Sequence, residues 1–377
     1  MTKSSKNPQQ RAQLTDFFLP LKDPRRTNKG NIQHSLIDMI FLVISAVVSG
    51  AVDWTHIEIF GNNQINWLQK FAPFENGIPS HDVLGKVFSS IDTSQFAECF
   101  INWASSIAKI SDGEIIAVDG KRIRGSYDNS DNKAAIHMVS AFASGNKLCL
   151  GQVQTADKSN EITAIPKLLD LITTKGCIVT IDAMGCQKDI ADKIVDKGSD
   201  YILAVKENQK ELLEQVEKMF SGNYNTEMEE SDDAGHGRVE KRKCHIVSDL
   251  KFFDLKDDWK GLKTVIKIES ERYMKNTGKT STETRYYISS LEPDAKKIND
   301  AIRSHWSIEN NLHWTLDVVF GEDASRKRKN NSAANFTILT KIAMALIARE
   351  KSIKMSMRAK RYQATINPEY REKILKL

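Results

Sequence analysis

Three features that often define a protein class are missing from this sequence. The five cysteines among 377 residues are scattered and include no Cys-x-x-Cys pair, which argues against a disulfide framework or a zinc knuckle and fits a reducing cytoplasm. The most apolar stretch, Met39 to Val52, is shorter than the roughly 20 residues of a membrane span, and Met1 to Arg11 lacks the apolar core of a signal peptide. We therefore expect a cytoplasmic globular protein.

A large excess of one charge is also missing, because 54 Lys and Arg face 49 Asp and Glu. The charges are nevertheless unevenly spread. Four consecutive cations occupy positions 326–329, and nine Lys or Arg against three Asp or Glu lie between Arg349 and Lys376. Such blocks are either solvated faces or nucleic-acid contacts. With 40% hydrophobic residues, the chain can bury a sizeable core and is long enough for two or three domains.

The spacing of apolar residues changes along the chain. Up to about residue 110 they recur three or four positions apart, which predicts helices, with Ser80 as a helix cap. Apolar strands then alternate with helices up to about residue 220, and residues 135–155 are typical of a hairpin. A crossover helix between apolar strands predicts parallel neighbours, so we expect a mixed sheet with helices on its faces.

Two aspartates end apolar strands of this predicted sheet. Asp119 ends the strand that begins at Glu114, and Asp182 ends the strand that begins at Gly176. Parallel strands present their carboxyl ends at one edge of a sheet, so the two carboxylates are predicted to lie side by side. Adjoining carboxylates repel each other unless a cation relieves them, and Mg²⁺ is the usual hard cation for oxygen ligands. The alternative is that each aspartate caps the following loop.

Two-metal phosphodiester chemistry, with ions about 4 Å apart, requires a third acid. His305, Glu309 and His313 lie four positions apart, so on an α-helix they share one face, and Glu309 is the predicted third metal-binding acid. Asp317 and Asp323 are its rivals. Two other interpretations remain open: ordinary helix packing, and a zinc site on Glu309 and the two histidines, although these histidines are eight apart and lack the i, i+4 spacing of the zinc motif.

Four ordered motifs resemble the DDE transposases of bacterial insertion sequences, in particular the H-repeat-associated type. They are VDGKRIRGS, TIDAMGCQKDIADKIVDKGSDYILAVKENQ, HGRVEKR and HWSIENNLHWTLDVVFGEDASRKRKNN. The stretches FFLPLKDPRRTNKGNIQHSLIDMIFLVISAVVSG and IPSHDVLGKVF resemble the helical N-terminal region of that family. In related transposases, Tyr and Arg usually precede the catalytic Glu, and Lys follows it. This chain has Ile302 and His305 before Glu309, and Leu316 after it.

The resemblance implies an α/β ribonuclease H-like fold, a mixed sheet with flanking helices, on which Asp119, Asp182 and Glu309 form the catalytic triad and hold two ions of Mg²⁺ or Mn²⁺. It implies a DNA transposase that cleaves the ends of its element and joins the freed 3′ hydroxyl to target DNA. Its partners would be double-stranded DNA and further copies of itself, with no membrane and no organic cofactor. The alternatives are a nuclease of the same fold without strand transfer, and a non-catalytic DNA-binding protein derived from a transposase.

Positive charges near these acids are predicted to neutralise DNA phosphates, with solvated turns or faces as the alternative. The predicted contacts are Lys121, Arg122, Arg124, Lys206, Arg238, Arg326, Lys327 and Arg328. The predicted divisions of the chain are a helical N-terminal region that binds DNA ends (1–111), the first part of the ribonuclease H-like domain (112–220), a β-rich insertion (221–293), helices with the third acid (294–348) and a basic C-terminal tail (349–377).

Overall fold

The computed structural model describes residues 13–26, 32–127, 134–155, 161–222, 226–235 and 237–377. The strands are β1 (Ile115–Arg122), β2 (His137–Ala143), β3 (Leu148–Thr155), β4 (Ile178–Ile181), β5 (Asp200–Val205), β6 (Glu227–Gly235), β7 (Arg238–Val247), β8 (Thr264–Met274) and β9 (Lys279–Ser289). The helices are α1 (Gln13–Asp16), α2 (Leu36–Val48), α3 (Trp54–Asn63), α4 (Ile65–Leu68), α5 (His81–Ser90), α6 (Thr93–Ile107), α7 (Glu161–Leu171), α8 (Lys188–Asp196), α9 (Lys210–Ser221), α10 (Ala295–His305), α11 (Trp314–Val318), α12 (Ser332–Arg349), α13 (Met357–Ile366) and α14 (Pro368–Leu375).

The nine strands form one mixed sheet in the order β3-β2-β1-β4-β5-β9-β8-β7-β6. The strands β1, β4 and β5 are parallel neighbours, and the β2–β3 hairpin adds antiparallel strands beside β1. Alternate residues of a strand point to opposite faces. Ile178 and Ile202 accordingly share a core cluster with residues of α10, whereas Val179 and Leu203 belong to the main core with residues of α7 and α8. The predicted mixed sheet with flanking helices is confirmed.

The β-rich segment after α9 extends this sheet. Strand β9 pairs antiparallel with β5, with Leu203 opposite Ile288, and β8, β7 and β6 follow in order. Only the half of β9 near β5 is buried, and Lys279 to Thr284 are exposed. The sheet is therefore continuous from the predicted catalytic strands to the end of the insertion.

The N-terminal helices pack onto the same core as the later helices. Helix α2 is apolar on nearly every side, and α5 begins at the predicted cap Ser80, whose hydroxyl accepts a hydrogen bond from the Val83 amide. Helix α12, most of whose residues are also buried, packs against α2, α5 and α6. Within the described ranges, no helix combines the length and apolar character that a membrane crossing requires.

The C-terminal segment predicted to be a basic tail forms α13 and α14, which pack against α2 and α12. Three of its cations, Lys360, Arg361 and Arg371, are buried. The Arg371 guanidinium lies 4.0 Å from the centre of the Trp67 ring, and Lys360 donates to the carbonyl oxygen of Glu350. Much of the charge of this segment is therefore used inside the fold.

Candidate functional site

Asp119 and Asp182 lie on neighbouring parallel strands. Val118 on β1 is opposite Ile181 on β4, and each aspartate directly follows one member of this pair. Strand β1 continues past Asp119 to Arg122, because β2 pairs with it along that stretch, whereas β4 ends before Asp182. The Asp182 carboxylate also caps the turn after β4, accepting a hydrogen bond from the Met184 amide at 3.1 Å. Asp182 therefore both caps the following turn and lies beside Asp119.

Neighbouring groups compensate little of the negative charge of Asp119 and Asp182. Burial raises the pKa of Asp119 to about 8, and the carboxylates of Asp182 and Glu309 add to this effect, against one hydrogen bond from the Gly120 amide. Partial burial also raises the pKa of Glu309, although the residue stays accessible to solvent; Arg285 opposes this shift and Asp182 adds to it. The three acids therefore interact electrostatically, and a cation among them would lower the free energy of their charged forms.

Glu309 shares a cavity with Asp182. This cavity, of about 790 Å³, also has Lys206, Arg285 and Trp306 on its walls. The Arg285 guanidinium stacks over the Trp306 ring at 4.9 Å from its centre. The cavity therefore offers cationic and aromatic groups beside two of the three acids.

The segment that carries Glu309 is a π-helical turn, Ile308–His313, between α10 and α11. The expected α-helix, on which His305, Glu309 and His313 would share one face, is therefore interrupted. His305 Nδ1 lies 2.9 Å from the Thr180 hydroxyl on β4, and His313 Nδ1 lies 3.5 Å from Oδ2 of Asp119 on β1. The two histidines thus contact different strands. Across the described ranges, no group of three His, Cys, Asp or Glu side chains lies close enough together to hold a metal ion as the side chains stand.

Lys121 is turned into the protein. Its Nζ lies 2.6 Å from Asp317, 3.1 Å from Glu322 and 3.1 Å from Asp323, and only 11% of its side chain is exposed. Lys327 is also buried and donates to the carbonyl oxygen of Val52 at 2.6 Å. Both lysines bind groups inside the protein and therefore lack the solvent exposure that a contact with a DNA phosphate requires.

The other predicted cationic contacts are more accessible. Arg122, Lys206, Arg238 and Arg326 are exposed, and so is 82% of the Arg124 side chain. Arg238 lies at the tip of the β6–β7 hairpin. Arg328 is half-buried, with its guanidinium 4.7 Å from the centre of the Tyr127 ring.

Residues 110–346 match the family model described as the transposase DDE domain, and residues 15–104 match the model described as DDE_Tnp_1-associated. The chain belongs to the DDE transposase family. It is 46% identical to the putative transposase YncI of Escherichia coli O157:H7 over 369 residues, 96% of this chain and 94% of that protein. It is 42% identical to the H repeat-associated putative transposase YhhI of Escherichia coli strain K12 over 370 residues, 96% of this chain and 97% of that protein.

A solved structure of the piggyBac transposase synaptic complex with hairpin DNA aligns with this chain at a TM-score of 0.46 and 12% identity. The alignment covers 97% of this chain and 77% of that one.

The sequence patterns did not predict a buried pair of side chains beside the strand position that follows Asp119. His137 Nε2 lies 2.5 Å from a carboxylate oxygen of Glu161, and both side chains are buried. A Cβ placed on Gly120 would come within 2.3 Å of both partners. A glycine inside a strand often marks a place where another group approaches the backbone closely. Gly120 was therefore the feature of the sequence that indicated this pair. The sequence pattern predicted an α-helix and not a π-helical turn, so it did not predict the contact of His313 with Asp119.

Proposed function

We propose that this chain is an active DNA transposase that cleaves phosphodiester bonds at insertion-sequence ends and joins them to target DNA. Asp119, Asp182 and Glu309 would be its metal-binding acids. The observation that carries the proposal is the position of Asp119 and Asp182 directly after a paired position of two parallel strands, with Glu309 on the wall of the cavity that contains Asp182. The family supports the same reaction.

The donor set fits Mg²⁺ or Mn²⁺. All three groups offer carboxylate oxygens, which hard divalent cations prefer. The raised pKa of Asp119, caused by burial and by Asp182, indicates a carboxylate whose charge is not yet compensated. Glu309 is exposed and has the rotamer freedom to adjust toward a shared ion. When bound, such ions activate the attacking oxygen and stabilise the leaving oxygen.

Glu309 suits the third position better than its rivals. Asp317 and Asp323 form ion pairs with Lys121, whereas Glu309 lines the same cavity as Asp182. Releasing either aspartate would leave Lys121 with fewer partners in a buried position, which costs free energy. We therefore assign Asp317 and Asp323 to the ion-pair cluster and Glu309 to metal binding.

DNA phosphates would approach through the exposed cations near these acids. Arg122 and Arg124 follow Asp119, Lys206 lines the cavity of Asp182 and Glu309, and Arg326 borders a groove of about 1120 Å³. This groove runs between the basic segment 326–329 and the starts of α3 and α5. It would place the helical N-terminal region, residues 1–111, against the same DNA end. Two or more subunits would assemble on paired ends.

The test is cleavage of linear element-end DNA with Mg²⁺ by wild type and by Asp119→Asn, Asp182→Asn and Glu309→Gln. Loss of metal stabilisation worth several kcal/mol should slow cleavage about a hundredfold or more. Asp300→Asn, a mostly exposed acid on α10, is the matched control and should cleave normally. Normal cleavage by Glu309→Gln would refute the assignment of the third acid.

A second assay separates the alternatives. Pre-cleaved ends with a free 3′ hydroxyl are incubated with a target plasmid, and joined products are counted. Joining supports a transposase, cleavage without joining supports a nuclease, and DNA binding without either supports a non-catalytic protein.

A further inference from the structure

Strand β1 and the turn that follows it, Arg124–Ser126, contact the segment after the π-helical turn at three successive positions. His313 faces Asp119, Asp317 binds Lys121, and the carbonyl oxygen of Ser325 lies so close to Gly125 that a Cβ there would come within 2.3 Å of it. Asp119 and Lys121 are two residues apart on a strand, so their side chains point to the same face. The segment 308–325, which carries Glu309, therefore lies along the face of β1 that carries Asp119.

Lys121 makes the ion pairs of this contact. Its Nζ lies within 3.1 Å of carboxylate oxygens of Asp317, Glu322 and Asp323, so one ammonium group is shared by three acids of the segment. Glu322 is itself buried and also accepts a hydrogen bond from the Thr337 hydroxyl. Without Lys121, the three carboxylates would lose the cation that they share and keep the exposed Arg124, which lies 3.5 Å from Asp323. Their mutual repulsion would then release the segment from β1.

Arg122 provides a natural comparison, because it follows Lys121 directly. Its side chain points to the other face of β1 and is exposed. The two neighbours therefore carry the same charge in opposite environments. Exposed cations suit phosphate contacts, whereas Lys121 has its ion-pairing capacity filled by Asp317, Glu322 and Asp323.

We propose that Lys121 is a positioning residue that docks the Glu309-bearing segment 308–325 onto β1 beside Asp119, and that it does not contact DNA. The catalytic consequence rests on the proposed function, since the distance between Asp119 and Glu309 matters only if both serve one reaction. The docking itself does not depend on it.

The docking is tested on the full chain without DNA. Amide hydrogen exchange of residues 308–325 is compared in wild type, Lys121→Met and Arg122→Met, which each lose one cation and keep an unbranched side chain. We expect at least tenfold faster exchange in Lys121→Met and no change in Arg122→Met. If Lys121→Met does not fold, Asp317→Asn and Lys121→Arg take its place, with a smaller increase. Equal exchange in the Lys121 and Arg122 variants would overturn the proposal.

The role in DNA binding is tested by the salt dependence of affinity. Each phosphate contact contributes about one to the slope of log affinity against log salt concentration. Arg122→Met should lower this slope by about one, and Lys121→Met should leave it unchanged. An equal loss of slope in both variants would identify Lys121 as a phosphate contact.

The catalytic consequence appears in the rate at saturating DNA. Displacement of a catalytic group by about 1 Å costs on the order of a hundredfold in rate. Lys121→Met should therefore cleave tenfold to a hundredfold more slowly, and additional DNA should not restore the rate. The charge exchange Lys121→Glu with Asp317→Lys keeps one cation among three carboxylates and should recover part of the rate that Lys121→Glu alone loses. No recovery, with rate restored by excess DNA, would contradict positioning.

The two proposals fail differently. If wild type neither binds nor cleaves element ends, the proposed function fails, and the exchange experiment still decides whether Lys121 docks the segment. If wild type cleaves and Lys121→Met behaves as Arg122→Met does in all three measurements, only the role of Lys121 fails.

Discussion

His313 Nδ1 lies 3.5 Å from Oδ2 of Asp119, and the opposite ring nitrogen, Nε2, is buried without a hydrogen-bond partner among the described residues. Burial lowers the pKa of His313 to about 3, and the nearby Lys341 and Lys121 contribute. The imidazole is therefore neutral at physiological pH. It can orient the Asp119 carboxylate, but it cannot compensate its charge.

We expect His313→Leu to slow DNA cleavage tenfold to a hundredfold, which is the usual cost of removing a group that orients a metal ligand. His313→Asn keeps an amide that can reach the carboxylate and should lose less. The measurement is the cleavage rate at saturating DNA over a range of Mg²⁺ concentrations. His245→Asn, on β7, is the control. Wild-type rates for both His313 variants would show that Asp119 does not need this contact.

The stability of the metal-free protein should depend on pH through Asp119. Its folded-state pKa is raised to about 8 from an ordinary value near 3.8, so the folded protein keeps this proton at pH values where the unfolded chain has lost it. This contribution is fully present below about pH 4 and disappears as the pH rises through 8. Asp119→Asn cannot lose a proton, so it should gain stability relative to wild type as the pH rises.

Urea unfolding in EDTA at pH 5 and pH 8 measures this difference. We expect the advantage of Asp119→Asn to grow between the two pH values, up to a few kcal/mol, since one pKa unit corresponds to about 1.4 kcal/mol. Asp300→Asn controls for the loss of a surface carboxylate. Excess Mg²⁺ should stabilise wild type at pH 8 and reduce the gap. A gap that stays constant with pH would contradict the raised pKa.

The parts of the fold that depend on local patterns could be predicted from the sequence. The apolar run before Asp119 predicts a buried strand, and the crossover through α7 predicts that β1 and β4 are parallel, which is confirmed. The mixed sheet with flanking helices and the family are confirmed as well. The roles of Asp119, Asp182 and Glu309 stay predictions, because no measurement of activity or metal binding tests them.

The parts that depend on distant contacts could not be predicted. Lys121 and Arg122 are adjacent cations in the sequence, and the acids that distinguish their environments begin with Asp317, 196 positions after Lys121. The π-helical turn Ile308–His313 has the same apolar spacing as an α-helix, so periodicity did not reveal it. Pairing of β9 with β5 depends on register across more than 80 residues, which a local pattern does not contain.

The basic segment 326–329 contains both buried and exposed cations. Lys327 Nζ donates to Val52 and lies 3.7 Å from the centre of the Phe336 ring, and burial lowers its pKa to about 8. Lys329 is exposed. We expect Lys327→Met to lower the free energy of unfolding by about 1–3 kcal/mol, because the Val52 carbonyl loses its hydrogen-bond donor. The salt slope of DNA binding should stay unchanged.

Lys329→Met is the matched comparison. It should change stability by less than about 0.5 kcal/mol, as is usual for surface positions, and should lower the salt slope by about one. Salt titrations of DNA binding and urea unfolding of both variants decide between these outcomes. The reverse pattern, with slope lost in Lys327→Met only, would show that Lys327 leaves its buried position to meet DNA.

Arg361 on α13 connects three parts of the chain. Its guanidinium donates to the carbonyl oxygen of Val47 at the end of α2, to that of Ala51, and to that of Val319, which follows α11. A cation at the end of a helix also interacts favourably with the helix dipole. We expect Arg361→Met to lower the free energy of unfolding by about 3 kcal/mol or more, because buried carbonyls lose charged donors. Lys354→Met, an exposed cation of the same C-terminal segment, should have little effect in the same urea titration. Equal stability of the two variants, with a lower salt slope of DNA binding for Arg361→Met, would instead favour nucleic-acid contact by residues 349–377, one of the two alternatives that the charge count leaves open.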